Sequence, residues 1–165
     1  MDYIQQWQQN LKQASQEGNL RRLIDVEIYR LEPQIIALNI AQIEAHQGFD
    51  DKPMVNDIRI RSGKRKGELA FPGTYSEKTQ EFSGGVKTKG HPYDFNWHGD
   101  FIGNFNIKAV GKGFSTYSTG TGSGDKQEFF EGYKNMFGLD TENTATVENE
   151  VLYYVLEKSL NQIYG

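Results

Sequence analysis

The chain of 165 residues contains no cysteine and only four prolines, and it has no long hydrophobic run. The absence of cysteine excludes disulfides, thiolate catalysis and cysteine-ligated zinc sites. No segment approaches the ~18 consecutive apolar residues of a transmembrane helix. The opening residues, MDYIQQWQQN, lack the basic and apolar regions of a secretory signal peptide, so we expect none. These features predict a soluble protein that is made in a cytoplasm.

Positive charge is also scarce, because 18 basic residues face 22 acidic ones and give a net charge of −4. This balance argues against a dedicated nucleic-acid binder and against adsorption to an anionic membrane. The hydrophobic fraction is a modest 36%, yet the chain has ten phenylalanines and nine tyrosines. We therefore expect a core that is built largely from aromatic side chains.

The length indicates a single domain over residues 1–165. We expect a helical N-terminal part at 1–48, an extended polar and basic insertion at 49–96, and a β-hairpin with C-terminal helices at 97–165. The predicted fold class is α+β. It has a long kinked N-terminal helix, a small antiparallel sheet, and C-terminal helices packed on that sheet.

A short amphipathic helix is predicted over residues 2–17, ending at Gly18. A longer helix is predicted over 19–47, capped by Asn19 and bent at Pro33. Its second half is apolar on two sides, and such a helix must be covered on both. The row on the second side consists of Tyr29, Ile36, Ile40 and Ile43. We interpret this row as a contact with a neighbouring subunit, the alternative being that the domain itself wraps the helix.

The insertion contains the run DIRIRSGKRKGEL, in which apolar and charged residues alternate. This pattern predicts two short strands joined by a basic tip at residues 62–66. The five cations are Arg59, Arg61, Lys64, Arg65 and Lys66. They are explained either by contact with nucleic acid or an acidic partner, or by a solvated hairpin tip. Residues 74–96 are predicted to form a mostly irregular polar connection.

Two strands and two helices are predicted in the C-terminal part. A strand at 101–109, a glycine turn at 111–113 and a second strand at 114–119 form a hairpin. Asp125 and Glu128 have the spacing of a capping box for the next helix. That helix is expected to bury four aromatic residues, namely Phe129, Phe130, Tyr133 and Phe137. We expect Gly138 to end this helix in a Schellman motif, and Asp140 or Thr141 to cap the last one. The apolar side of the last helix is assigned to Val147, Val151, Tyr154, Val155 and Ile163.

The order of these motifs carries a family resemblance. It runs through His98-Gly99-Asp100-Phe101, Phe105, the glycine hairpin and Phe137-Gly138-Leu139-Asp140 to a terminal helix. This order resembles the tail-completion and head–tail joining proteins of tailed bacteriophages, although His98 stands where those proteins usually have threonine. Two further motifs, Gly73-Thr74-Tyr75 and Gly90-His91-Pro92-Tyr93, are similar to versions from phages of Bacteroides-type hosts. The resemblance covers residues 73–163.

The resemblance implies a structural virion protein and no enzyme, cofactor or membrane contact. It implies a ring of about six or twelve copies in the neck, between portal or adaptor and tail proteins around the DNA channel. The second apolar row would then lie between neighbouring subunits, and the basic tip would face channel DNA or an acidic partner. The first helix would dock on an adjacent ring through Tyr3, Ile4, Trp7 and Leu11.

The residues themselves suggest two other classes of function. A metal or acid–base site is conceivable from His91 and His98 with Asp94 and Asp100, but their spacing matches no established ligand motif. The loop at 120–126 precedes a helix but lacks the lysine–hydroxyl pair of a phosphate-binding loop. The second hypothesis is a bacterial ligand-binding or regulatory domain with a pocket at this glycine-rich loop and the aromatic hairpin. A small hydrolase that uses His91, His98 and Asp100 is the third.

Overall fold

The computed structural model describes residues 3–95, 99–111 and 113–164. Within these residues the chain is a mostly helical α+β fold with one two-stranded antiparallel hairpin. The elements are α1 (Tyr3–Ala14), α2 (Glu17–Arg30), α3 (Glu32–Glu44), α4 (Glu77–Phe82), α5 (Asp100–Gly103), β1 (Phe105–Val110), β2 (Gly113–Ser118), α6 (Asp125–Glu131) and α7 (Thr141–Tyr164). The predicted fold class is confirmed at this level.

The long N-terminal helix is divided into α2 and α3 at Leu31, whose φ of −83° and ψ of 0° leave the helical conformation. Pro33 lies in the first turn of α3, where its missing N–H costs no hydrogen bond. The helix is therefore interrupted two residues before Pro33, the position at which the sequence predicts a bend. The predicted Asn19 cap is wrong, because α2 already begins at Glu17 and Gln16 precedes it as the N-cap residue.

The C-terminal helix α7 packs mainly on α1 and α2, where we had expected it to pack on the sheet. The Asn19 amide donates to Oε1 of Gln162 at 2.9 Å. Near the other end of α7, the Gln34 amide donates to Oε1 of Glu150 at 2.8 Å. These two bonds show that α7 runs antiparallel to the α2–α3 pair. Val147 of α7 lies in a helical core cluster that includes Ile107 of β1. The buried members of this cluster are Ile28, Leu31, Ile35, Ile107, Leu139 and Val147.

The hairpin pairs Phe105 with Ser118 and continues to Val110 with Gly113. It confirms the predicted hairpin pairing, but β1 begins four residues later than expected, and Lys112 of the predicted turn lies outside the described residues. Residues Asp100–Gly103 form the short helix α5, which begins after Gly99 adopts a left-handed φ of 79°. Phe101 is buried, but it lies in a helical turn and not in the alternating strand that the sequence predicts.

A second, aromatic core cluster confirms the expectation of an aromatic core. The rings of Phe101 and Phe130 are stacked with centroids 4.1 Å apart, and Phe105 meets Phe101 edge-on at 5.2 Å. The buried members are Ile43, Met54, Phe95, Phe101, Phe105, Phe130, Tyr133 and Met136. This cluster joins α3, the insertion, the hairpin and α6 into one body.

The helix boundaries around α6 differ from the capping predictions in two places. Gly124 is the N-cap of α6, so the predicted capping by Asp125 is wrong. The helix ends at Glu131, so Gly138, with φ of 126°, does not terminate it in a Schellman motif. Asp140 does cap α7 as predicted, because its Oδ1 accepts the Asn143 N–H at 2.9 Å. The segment predicted to be irregular contains α4, whose Ser76 cap accepts the Thr79 N–H at 3.2 Å.

Candidate functional site

The second apolar row of the long helix is mostly covered by the chain itself. Ile43 is buried in the aromatic core cluster, and Ile36 and Ile40 pack against it. Tyr29 alone in this row is half exposed. The premise that the row needs a neighbouring subunit to cover it is therefore corrected. The aromatic core cluster, whose members are distant in sequence from this helix, supplies the cover.

The first helix leaves most of its apolar row exposed. Ile4 is 62% exposed, Leu11 41% and Trp7 39%. Ala14, one turn further along, is buried, and α1 packs on α7 and α2. The side chain of Tyr3, the fourth member of the predicted row, lies outside the described residues. The row is thus available to a partner from Ile4 to Leu11.

The last helix carries an exposed apolar row that the sequence analysis missed. Leu152, Leu156 and Leu160 follow one another at four-residue spacing and are each at least half exposed, with Tyr153 exposed beside them. Leu152 also lines a groove of about 550 Å³ between α2, β2 and α7. The four-residue spacing was visible in the sequence. It was missed because a 24-residue helix was assigned only one apolar side.

The predicted basic hairpin is a loop closed by one β-bridge, between Arg59 and Leu69, and not by two strands. Backbone hydrogen bonds from Ile60 to Glu68 and from Ala70 to Ile58 continue the pairing. The five cations of the loop are all exposed. Arg65 pairs with Glu68 at 2.7 Å, and Arg61 reaches Glu128 at 3.9 Å. Within the described part of the chain, neither Lys64 nor Lys66 has a carboxylate within 4.0 Å.

An aromatic cavity of about 400 Å³ opens between α4, α5, α6 and the segments on either side of α4. Seven aromatic side chains line it, namely Phe71, Tyr75, Tyr93, Phe95, Phe101, Phe129 and Phe130. The other lining residues are Thr79, Asp100 and Lys126, and the Lys126 ammonium lies 3.2 Å from the Asp100 carboxylate. Most of the wall is therefore apolar, and its one ion pair is partly exposed.

A polar cluster fixes one wall of this cavity. The Tyr75 hydroxyl donates to Asp94 Oδ1 at 2.6 Å, and the Lys87 ammonium donates to Asp94 Oδ2 at 2.5 Å. Lys87 also lies over the Tyr75 ring, 5.7 Å from its centroid. Burial and the hydrogen bond to Asp94 raise the pKa of Tyr75 above its ordinary value. The phenol therefore stays protonated and holds its ring in place against Tyr93, edge-on at 5.0 Å.

The candidate histidine–aspartate site is not brought together as a metal site by the described residues. Asp94 accepts from Tyr75 and Lys87, while Asp100 pairs with Lys126. His98 lies outside the described residues. In the described ranges there is no group of three or more histidine and acidic side chains that could hold a metal ion.

No family model, curated protein or solved structure matches this chain. The resemblance to phage tail-completion proteins is therefore a hypothesis that depends on the sequence motifs alone. Among the described residues, no helix combines the length and the apolar character needed to cross a bilayer.

Proposed function

We propose that this chain is a structural virion protein that forms a ring in the head–tail connector of a tailed bacteriophage. Such a ring joins portal-side and tail-side components around the DNA channel. The order of motifs from Gly73 to the terminal helix supports the family, and the exposed apolar rows support assembly. No catalytic step is part of this proposal.

The observation that carries the proposal is the pair of exposed apolar rows on α1 and α7. These two helices pack against each other, and each keeps large apolar side chains in solvent, Ile4 and Trp7 on one and Leu156 and Leu160 on the other. Extended exposed apolar patches on soluble proteins mark interaction sites. Burial of a fully exposed side chain of this size stabilises a complex by roughly 1.5–3 kcal/mol before the costs of association, and these side chains, which are about half exposed, would contribute about half of that.

The basic loop at 57–70 has a separate role in the proposal. Its exposed lysines lack nearby carboxylates in the described structure, so they can approach phosphates or an acidic protein surface. The chain as a whole is acidic, so this contact is local and sensitive to salt. We assign it to the channel or to an acidic neighbour in the neck.

Disruption of the gene in a phage that encodes this chain tests the proposal. The expected result is an accumulation of DNA-filled heads and separate tails in electron micrographs. Plasmid-borne wild-type protein should restore joined particles. Normal joined and infectious particles in the absence of the protein would contradict the proposed function.

The aromatic cavity favours one alternative function, a ligand-binding or regulatory domain. The cavity lies beside the glycine-rich loop and is lined by seven aromatic rings. A ligand at about 100 times its dissociation constant stabilises the folded state by about 2.7 kcal/mol. Thermal unfolding in the presence of millimolar aromatic amino acids, nucleosides and nucleotides would reveal such a ligand. Stabilisation by one of these compounds, together with absence of the chain from particles, would favour the alternative.

A further inference from the structure

The charge of the basic loop at 57–70 is opposite to that of the rest of the chain. The eight residues from Arg59 to Lys66 include five cations and no carboxylate. With Asp57 and Glu68 the loop has a net charge of +3, and because the whole chain has −4, the other residues together carry −7. We propose that this loop binds the phosphate backbone of duplex DNA without reading its sequence. The inference rests on the proposed function, because it chooses one of the two partners assigned there to the loop.

The composition of the loop tip favours DNA over an acidic protein surface. Residues 61–68 are all exposed, and each of them is charged, polar or glycine. Protein–protein interfaces gain most of their binding energy from buried aromatic and apolar anchors, and lysine is depleted in them. Non-specific binding to DNA needs only cations that neutralise phosphates. Duplex DNA also presents one negative charge per about 1.7 Å of its axis, about twice the density of an extended acidic chain with ~3.3 Å per residue.

The ion pairs of the loop divide its five cations into two groups. Arg65 pairs with Glu68 at 2.7 Å, and Arg61 lies 3.9 Å from Glu128 of α6. Among the described residues, no carboxylate lies within 4.0 Å of the three other cations, which are Arg59, Lys64 and Lys66. We assign the phosphate contacts to these three side chains. Glu68 competes with a phosphate for Arg65.

Backbone hydrogen bonds give the loop a defined shape before any partner binds. The Gly67 N–H donates to the Ile60 carbonyl at 2.9 Å, and the Ile60 N–H donates to the Glu68 carbonyl at 2.9 Å. Arg59 Nη1 donates to the Gly67 carbonyl at 3.2 Å, and the other N–H groups of its guanidinium are left for a phosphate. Less of the contact energy is then lost to the ordering of the loop on binding.

The salt dependence of DNA binding by the full chain tests this inference. Each neutralised phosphate contributes about −0.9 to the slope of log K against log salt, so three contacts predict a roughly 40-fold loss of affinity between about 10 and 40 mM salt. The anisotropy of a short, fluorescently labelled duplex of arbitrary sequence measures this loss. The double variant Lys64→Gln/Lys66→Gln keeps one contact, so its loss should shrink to about 4-fold.

A matched control and a variant of opposite sign accompany this measurement. Lys78→Gln/Lys108→Gln removes the same charge from two exposed lysines outside the loop and should keep the wild-type salt dependence. Glu68→Gln releases Arg65 for a fourth phosphate, so the loss of affinity over the same salt range should rise towards about 150-fold.

Poly-L-glutamate serves as the probe for an acidic protein surface. Per unit of charge, it should displace the labelled duplex at least about tenfold less effectively than unlabelled duplex does. Equal displacement would overturn the inference in favour of an acidic protein partner. So would a wild-type salt dependence in Lys64→Gln/Lys66→Gln, or the absence of DNA binding by the wild type at about 10 mM salt.

The outcome for the loop is separable from the outcome for the proposed function. A ring of this chain in particles, together with DNA binding that the loop variants do not change, would refute the phosphate contact and leave the proposed function standing. DNA binding through the loop by a chain that is absent from particles would refute the proposed function and leave the phosphate contact standing.

Discussion

At the scale of single residues, Asn39 connects three parts of the fold through one buried amide. Its Nδ2 donates to the backbone oxygens of Met136 and Gly138 at 3.1 and 2.9 Å. Its Oδ1 accepts the Thr116 hydroxyl at 2.6 Å. Buried backbone carbonyls without a partner are costly, so this side chain holds α3, β2 and the 136–138 turn together.

Replacement of Asn39 by alanine should lower the free energy of unfolding by about 2–4 kcal/mol, because several buried groups lose their partner at once. Urea denaturation monitored by circular dichroism measures this change. Thr116→Val should cost less, and the double variant should show a coupling of at least about 0.5 kcal/mol. Additive effects of the two changes would contradict the proposed network.

A second residue-scale prediction concerns acid stability at Asp51. The Thr141 hydroxyl and backbone N–H both donate to its carboxylate and lower its pKa below the ordinary value. A carboxylate with a lowered folded pKa stabilises the fold above its unfolded pKa, about 3.9, and this contribution is lost as pH falls through the folded pKa. Asp51→Asn should therefore lose stability at neutral pH and show a weaker dependence on pH below about 4.

Urea midpoints measured between pH 2 and 7 test the Asp51 prediction. Thr141→Val removes the hydroxyl donor and should reproduce part of the effect. Equal slopes for wild type and Asp51→Asn below pH 4 would show that this carboxylate is not linked to folding.

At the scale of elements, the sequence predicts best those features that depend on a few neighbouring residues. The hairpin pairing and the Asp140 cap follow from backbone preferences of a few residues, and the structure confirms both. Residues 100–103 were predicted wrongly, because their alternation of apolar and polar residues also fits a short helix. Gly99, with its left-handed φ, directly precedes the helix.

The cover of the long helix depended on partners that are distant in sequence, so periodicity alone could not identify it. In the sequence, Ile36 and Ile40 have the spacing of an exposed row. In the fold they pack, like Phe129 and Phe137, against the aromatic core cluster. The opposite holds on α7, where Leu156 is half exposed. Only tertiary packing distinguishes a covered apolar row from an exposed one.

These two rows give an element-scale prediction with a matched control. Leu156→Asp on α7 should change the free energy of unfolding by less than about 1 kcal/mol, because the site is exposed, yet it should reduce self-association. Ile40→Asp places a carboxylate against the core and should lower stability by about 3 kcal/mol or more. Thermal unfolding and sedimentation velocity on both variants make the comparison. A strong loss of stability in Leu156→Asp would show that this row is ordinary core.

At the scale of the whole molecule, the candidate site could be predicted only in part. The exposed row on α1 and the basic loop were visible in the sequence, because each lies within one short segment. The aromatic cavity was not, because its walls come from residues as far apart as Phe71 and Phe130. Composition indicated many aromatic rings, but only the fold shows that seven of them surround an open volume.

In the proposed function, the surfaces of the whole molecule serve assembly, and the proposal includes no chemical step. Apolar rows lie on α1 and α7, the aromatic cavity lies among α4, α5 and α6, and the basic loop reaches α6 at the exposed pair of Arg61 and Glu128. Different surfaces on one acidic chain suit contacts with several neighbours at once. A ring subunit that contacts other copies, tail-side proteins and DNA requires a separate surface for each of them.

Electron cryomicroscopy of purified particles that encode this chain tests the central claim most directly. The account predicts a ring of this chain at the head–tail junction, with a single copy number around the DNA channel and α1 in contact with a neighbouring copy. Absence of the chain from the junction, with intact heads joined to tails, would contradict it.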